Sequence, residues 1–292
     1  MTGNFIAVDW GTTNRRIYLI DGAGEVLATE RDDMGVQALA PADFPAAAAT
    51  IRARFGDLPM VCAGMVGSQR GWAFVPYVAC PASLRQLGEA LTAVEAGRSY
   101  IVPGVCDPRG DVMRGEEVQL LGAVADGLAP DDALICQPGT HCKWARMGKG
   151  SILGLSTAMT GEMFAMLRQH SLLAEFLDGV QTAGDAFREG LQRGGEGDLL
   201  TALFGVRGQA ILGMRPVADC ADYASGILIG ADVAGQGIGK GTVVHVLADP
   251  ELGRLYSLAI AHAGGDPLLV DSHAAFVAGI SRIWSHYLAT AS

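Results

Sequence analysis

The stretch Asp9-Trp10-Gly11-Thr12-Thr13-Asn14-Arg15-Arg16 limits what this chain can fold into more than any other feature. It joins two apolar runs, Phe5-Ile6-Ala7-Val8 and Ile17-Tyr18-Leu19-Ile20, the second ending at the turn Asp21-Gly22-Ala23-Gly24. Short apolar runs bounded by turn residues predict paired strands, so the stretch forms a hairpin tip. Gly11 lets the backbone approach a ligand closely, and backbone N–H groups with the Thr12 and Thr13 hydroxyls suit phosphate oxygens. Asp9, at the strand end, suits a Mg²⁺ ion held through its waters. The pattern then recurs. Gln137-Pro138-Gly139-Thr140-His141-Cys142-Lys143 follows the apolar strand Ala133–Cys136 and repeats Gly-Thr with a basic residue four positions after the glycine. Gly11 and Gly139 lie 128 residues apart in a chain of 292, close to half its length. Two phosphate-binding hairpins in two similar halves predict an ATP site in a cleft between domains at 1–129 and 130–292. The polar break Ala129-Pro130-Asp131-Asp132 marks the boundary.

Composition narrows the class. Half of the residues are hydrophobic and mean hydropathy is +0.27, yet no run reaches the ~20 apolar residues that a membrane span needs. Met1-Thr2-Gly3-Asn4 lacks the basic start of a signal peptide, so a soluble, cytoplasmic protein is expected. A net charge of −10 argues against a nucleic-acid surface, which needs clustered Lys and Arg. A few arginines in a cleft still reverse the local field for an anion. Six cysteines show no zinc-type spacing and read as buried free thiols. Forty glycines, dispersed at turns, suit an α/β protein with tight connections.

Along the chain, strands are expected at 25–30, 59–63 and 100–102, and helices at 41–55, 83–96 (capped by Ser83) and 118–125. The second half adds a hairpin over 143–155 that turns at Gly148-Lys149-Gly150. Helices follow at 160–168, 181–193, 198–204, 219–234, 250–261 and 273–288, with strands at 243–247 and 268–270. Each half opens with antiparallel strands and continues as mixed α/β.

The ordered series DWGTTNRR (9–16), GMVGSQRGW (64–72), DVMRGEEVQLLG (111–122), QPGTHCKW (137–144) and LSTAMTGEMFAML (155–167) resembles the 2-dehydro-3-deoxygalactonokinase family. That family lies within the sugar kinase/actin/heat-shock ATPase superfamily. The resemblance runs over most of the chain and is weakest between about 175 and 215. It implies an actin-like, duplicated ribonuclease-H-like fold. It also implies transfer of the ATP γ-phosphoryl to the terminal hydroxyl of 2-dehydro-3-deoxy-galactonate, in galactonate catabolism.

Phosphoryl transfer asks mostly for positioning and charge neutralisation. Asp9 is expected to orient hydrated Mg²⁺, Gly11, Thr12 and Thr13 to hold phosphates, and Gly139 and Thr140 to grip from the other domain. The resemblance places a base carboxylate just before the helix that ends the first half, where Asp111, Glu116 and Glu117 stand. Glu116 is favoured because it follows Gly115 at a helix start; Asp111 is the next candidate. A 2-oxo acid carries a carboxylate that arginine recognises, so Arg15, Arg16, Arg70 and Arg114 are candidate contacts, with Trp72 against the sugar chain. His141 is compatible with a substrate or phosphate contact.

Two look-alikes are set aside. Gly235–Gly241 lacks both the first glycine and the Ser/Thr of a P-loop, and reads as a helix-to-strand connection. His141 and Cys142 are adjacent on a strand and point to opposite faces, so they form no dyad. The adenosine pocket is left open, because Ala248-Asp249 stands where the superfamily has a glycine pair. Two rivals remain: a kinase for another 2-keto-3-deoxy acid, such as a gluconate-derived one, and a non-catalytic nucleotide-binding sensor.

Overall fold

The computed structural model describes residues 3–179 and 181–291, so Met1 and Thr2 of the N-terminal segment lie outside the described residues. In chain order the strands and helices are β1 (Phe5–Trp10), β2 (Arg15–Ile20), β3 (Val26–Asp32), α1 (Phe44–Phe55), β4 (Met60–Gly64), β5 (Val78–Ala79) and β6 (Ala82–Ser83). Then come α2 (Leu84–Glu89), β7 (Thr92–Glu95), β8 (Ser99–Ile101), β9 (Val105–Cys106), β10 (Val112–Met113) and α3 (Glu116–Ala125). The remainder holds β11 (Leu134–Gln137), β12 (Cys142–Gly148), β13 (Ser151–Ala158), α4 (Thr160–His170), α5 (Asp185–Gly195) and α6 (Leu199–Ile211). It ends with α7 (Val217–Ala234), β14 (Val243–Leu247), α8 (Pro250–His262), β15 (Asp266–Val270) and α9 (Ser272–Ala291).

The chain divides into two compact units. The first contains Met1–Ala133, Ala145–Ser156 and Asp271–Ser292; the second contains Leu134–Trp144 and Thr157–Val270. Its first crossing, at 133/134, falls close to the boundary read at 129/130, while the hairpin end 145–156 and α9 sit with the first unit.

The first unit is built on a mixed sheet in the order β3-β2-β1-β4-β8-β7. β1 pairs antiparallel with β2 and parallel with β4, so its C-terminal end lies centrally, beside Gly64. One face of β1 (Ile6, Val8, Trp10) packs with Phe44, Ala48 and Ile51 of α1. The other turns Phe5 toward Trp284 of α9, and Tyr18 of β2 stacks on Phe276 at 5.4 Å. Within this unit Ser151 and Ile152 of β13 pair with Ser83 and Ala82 of β6.

The second unit carries the parallel strands β15-β14-β11 in that order, with Cys142–Trp144 at the start of β12. Phe187, Trp144, Val246 and Tyr256 fill one core, and α4, α6 and α7 close around Leu177, Leu203 and Ile227 in another.

The helix expected over 83–96 is a correction. Ser83 does cap it, accepting from Gln86 N while Gln86 Oε1 accepts from Ser83 N at 3.0 Å. The helix stops at Glu89, and Thr92–Glu95 becomes the edge strand β7. β7 pairs antiparallel with β8 as a short hairpin that turns at Gly97 (φ 71°), a turn signal just past the stretch read as helix. The Gly235–Gly241 stretch connects α7 to β14, as read.

Candidate active site

Strand register sorts the charges of the first hairpin. Asp9 lies opposite Arg16, and Arg16 opposite Arg31; Trp10 lies opposite Arg15, and Arg15 opposite Asp32. Period-two alternation therefore puts Asp9, Arg16 and Arg31 on one face and Trp10, Arg15 and Asp32 on the other. On the second face Arg15 is buried. Its Nε donates to Asp32 Oδ1 at 2.8 Å, its Nη2 to Oδ2 at 3.0 Å, and it lies 5.0 Å over the Trp10 ring. The first face opens a pocket of about 230 Å³ whose lining includes Asp9, Gly11, Thr12, Thr13, Arg16 and Arg31. Burial pushes the Asp9 carboxyl up to a pKa of about 6, opposed by Arg16 and assisted by Glu116.

The loop itself is strapped from behind. Gly11 N donates to Asn14 O, while Gly35, Val36 and Gln37 donate their N–H groups to Thr13, Gly11 and Thr12 carbonyls at 3.0–3.2 Å. Gly35 lies so close that a Cβ there would fall 2.3 Å from Thr13 C.

At the start of α3, Glu116 is half-buried and its Oε2 accepts from Arg114 N at 3.0 Å. Glu117 is fully buried, both carboxylate oxygens accepting from Gly115 N, and burial pushes it to about 8. Asp111 belongs to a separate turn, where Arg109 donates to Asp107 Oδ1 at 2.8 Å and holds that carboxyl below its usual range. The start of α3 abuts the end of β4, a Cβ on Gly115 falling 3.0 Å from Gly64 Cα, and Gly64 pairs with Trp10 beside Asp9.

The other expected substrate contacts separate. Arg114 is buried, donating to Val75 O at 2.7 Å beneath the Tyr77 ring, 4.3 Å away. Trp72 stacks on Phe44 at 6.1 Å and joins the core. Arg70 is exposed and makes no ion pair among the described residues.

In the second unit, Gly139 and Thr140 lie between β11 and β12 and rest on the start of α4. Glu162 N donates to Thr140 O at 2.9 Å, and a Cβ on Gly161 would fall 2.5 Å from Gly139 O. Thr160 Oγ1 donates to Asp232 Oδ2 at 2.8 Å, and the same carboxylate accepts from Tyr256 Oη at 2.8 Å and Trp144 Nε1 at 2.9 Å. A neighbouring pocket of about 90 Å³ is lined by Gly139, Gly161, Phe164, Ser225 and Leu252, among others. His141 is exposed and pairs with Glu162 at 2.7 Å, whereas Cys142 is buried beside Cys136, so they form no dyad. All six cysteines are free thiols.

A model of the 2-keto-3-deoxy-galactonokinase family matches residues 9–283. The chain belongs to that family. The kinase is 38% identical to 2-dehydro-3-deoxygalactonokinase of Escherichia coli K12 over 97% of this chain and 98% of that protein. A crystal structure from Sinorhizobium meliloti, provisionally assigned as a 2-dehydro-3-deoxygalactonokinase, superposes with a TM-score of 0.85. It is 35% identical and covers 96% of this chain and 97% of that one. Component A of (R)-2-hydroxyglutaryl-CoA dehydratase from Acidaminococcus fermentans, at 11% identity and a TM-score of 0.51, shares the fold alone. The architecture is therefore that of an actin-like α/β kinase, and the enzyme is an ATP-using transferase of carbohydrate metabolism. No helix among the described residues is long and apolar enough to cross a membrane.

Four residues at or behind the candidate site escaped the sequence. Arg31 lies beyond the strand read to Glu30. Gly35 and Gly161 act through contacts across the fold. Asp232 carried a usable signal: it is a lone carboxylate in the apolar Ile227–Ala234 turns of α7.

Proposed function

We propose that this kinase phosphorylates the 6-hydroxyl of 2-dehydro-3-deoxy-D-galactonate, giving the 6-phospho sugar acid. The observation that carries the reading is the pocket at the first Gly-Thr loop, lined by Asp9, Gly11, Thr12, Thr13, Arg16 and Arg31 among others. The donor set fits a nucleotide and its metal, since hydroxyls and guanidinium groups suit phosphate oxygens and Asp9 offers a carboxylate. Magnesium is commonly held by one or two carboxylates plus substrate phosphates, which matches Asp9 acting through water. ATP with Mg²⁺ supplies the phosphoryl group and its charge neutralisation. Gly11, Thr12 and Thr13 bind phosphates, as do Gly139 and Thr140 in the second ribonuclease-H-like domain. Phe164, Ser225 and Leu252 take the nucleoside. Glu116 accepts the proton of the sugar hydroxyl, and Arg70 with Arg16 meets the substrate carboxylate; Arg15 and Arg114 hold their own units of structure instead. Location in the cytoplasm and independence from nucleic acid complete the proposal.

An ADP-release assay across 2-keto-3-deoxy-galactonate, 2-keto-3-deoxy-gluconate, free hexoses and glycerol tests it. Turnover is expected on the galactonate-derived acid with little on neutral sugars. Preference for the gluconate-derived acid would reassign the substrate, and equal turnover of glucose would remove the carboxylate argument. Glu116→Gln is expected to lower kcat by ~10²–10⁴-fold with KM for ATP little changed. A dead Asp111→Asn beside an active Glu116→Gln would move the base to Asp111.

A further inference from the structure

Sixteen consecutive residues, Leu199–Met214, carry a single charge, Arg207, and Glu175 takes it at 2.7 Å. Most of them form α6. One side of this helix, through Ala202, Leu203 and Val206, packs into the core beside Tyr223 and Ile227 of α7. The opposite side is apolar as well. Leu200 is 84% exposed, Phe204 63% and Ile211 60%, and Leu212 and Met214 continue the patch at 73% each. Spacings of four and seven residues align Leu200, Phe204 and Ile211 on one stripe. A helix that is apolar all round belongs in an interior, and here only half of it has one.

We propose that this stripe is the interface of a homodimer in which α6 of one chain packs against α6 of a second copy about a twofold axis. The exposed parts of these side chains, with Val217 beyond them, amount to roughly 700 Å² per copy. That approaches the ~800 Å² per partner of a standard interface and exceeds the few hundred Å² of apolar patch usual on a monomer. Charge favours a second copy over a different protein. A surface of net charge −10 repels itself, and α6 is where that repulsion is absent, while it offers no charge for a foreign partner to read. An apolar stripe is self-complementary, as a twofold contact requires. Gly208, on the same stripe, has open space where a Cβ would stand, which leaves room for a partner's Phe204 ring.

Sedimentation velocity at ~1–50 μM tests this. The wild-type chain is expected at about twice its 30.3 kDa mass, and the double variant Leu200→Glu/Phe204→Glu at the monomer mass. Both side chains are exposed, so melting temperature and circular dichroism should show an intact fold. Mixing this variant with Leu200→Lys/Phe204→Lys should restore the dimer. A wild-type monomer at the highest concentration would overturn the proposal, as would a dimer that survives the double substitution. Failure of the mixed variants to associate would also overturn it.

Discussion

Gly11–Thr13 joins two strands and is strapped by the backbone of Gly35–Gln37, whereas Gly139–Thr140 rests on the first turn of a helix. Behind the first loop stand Asp9, Arg16 and Arg31, aligned on one sheet face by register. At the matching strand end of the second stands Gln137, and the support comes from Gly161, Thr160 and the buried Asp232. On the proposed reading, the first loop would supply charge and the second fixed backbone, the neutralisation and the positioning that phosphoryl transfer needs.

The largest test of this division is Asp9→Asn. It removes the carboxylate while keeping the shape, so kcat should fall by on the order of 10²-fold or more with the fold intact. Near-normal turnover of the purified variant at saturating Mg²⁺·ATP would take the charge role away from the first loop.

On the second loop the matching variant is Gly161→Ala. Its Cβ has no room against Gly139 O and Thr140 Cα, so the loop must shift. Misplacement by ~1 Å is enough to cost up to ~10²-fold. The loss should appear in nucleotide affinity, read by calorimetry without sugar acid, and the sugar-acid KM should stay within about twofold. An unchanged nucleotide Kd would show that α4 does not hold the loop.

The pH response should also belong to the first loop. Asp9 is raised from 3.8 to about 6, so the folded protein holds a proton that the unfolded chain has released. Its stability contribution is present below about pH 4 and is lost as pH rises through about 6. Activity should run the other way, because the proposed role at the metal needs the ionised carboxylate. Between pH 5 and 6, kcat/KM for ATP should rise about fivefold, and His141→Gln on the second loop should leave that limb in place. A flat profile, or a limb that disappears with His141, would reverse the comparison.

Sequence carried the first loop further than the second for a physical reason. Asp9, Gly11 and the threonines act within eight residues, and strand alternation makes their faces readable. Alternation also separates Arg15 from Arg16, but which face is core depends on α1 and Asp32, far along the chain. Arg114 looked like a free cation beside a motif, and the Tyr77 ring that covers it arrives from another segment. The place of Glu116 in the first turn of α3 was legible because a helix start is set by local sequence. The supports of the second loop were not, since Thr160, Trp144, Tyr256 and Asp232 come from four separate elements.

The smallest expected effect isolates the second loop's support from its general packing. Thr160→Val keeps the volume but removes the hydroxyl that donates to Asp232 Oδ2, which still accepts from Tyr256. Losing a hydrogen bond to a buried carboxylate costs ~1.5–3 kcal/mol, so the melting temperature should drop by several degrees. If the bond serves only the core, that drop is the whole effect. If it also positions α4 beneath Gly139, the nucleotide Kd should rise several-fold at a temperature where the variant is fully folded, and Thr160→Ser, which keeps the donor, should restore it. Val and Ser variants with equal nucleotide Kd would make Asp232 an ordinary core group and leave Gly161 as the loop's support.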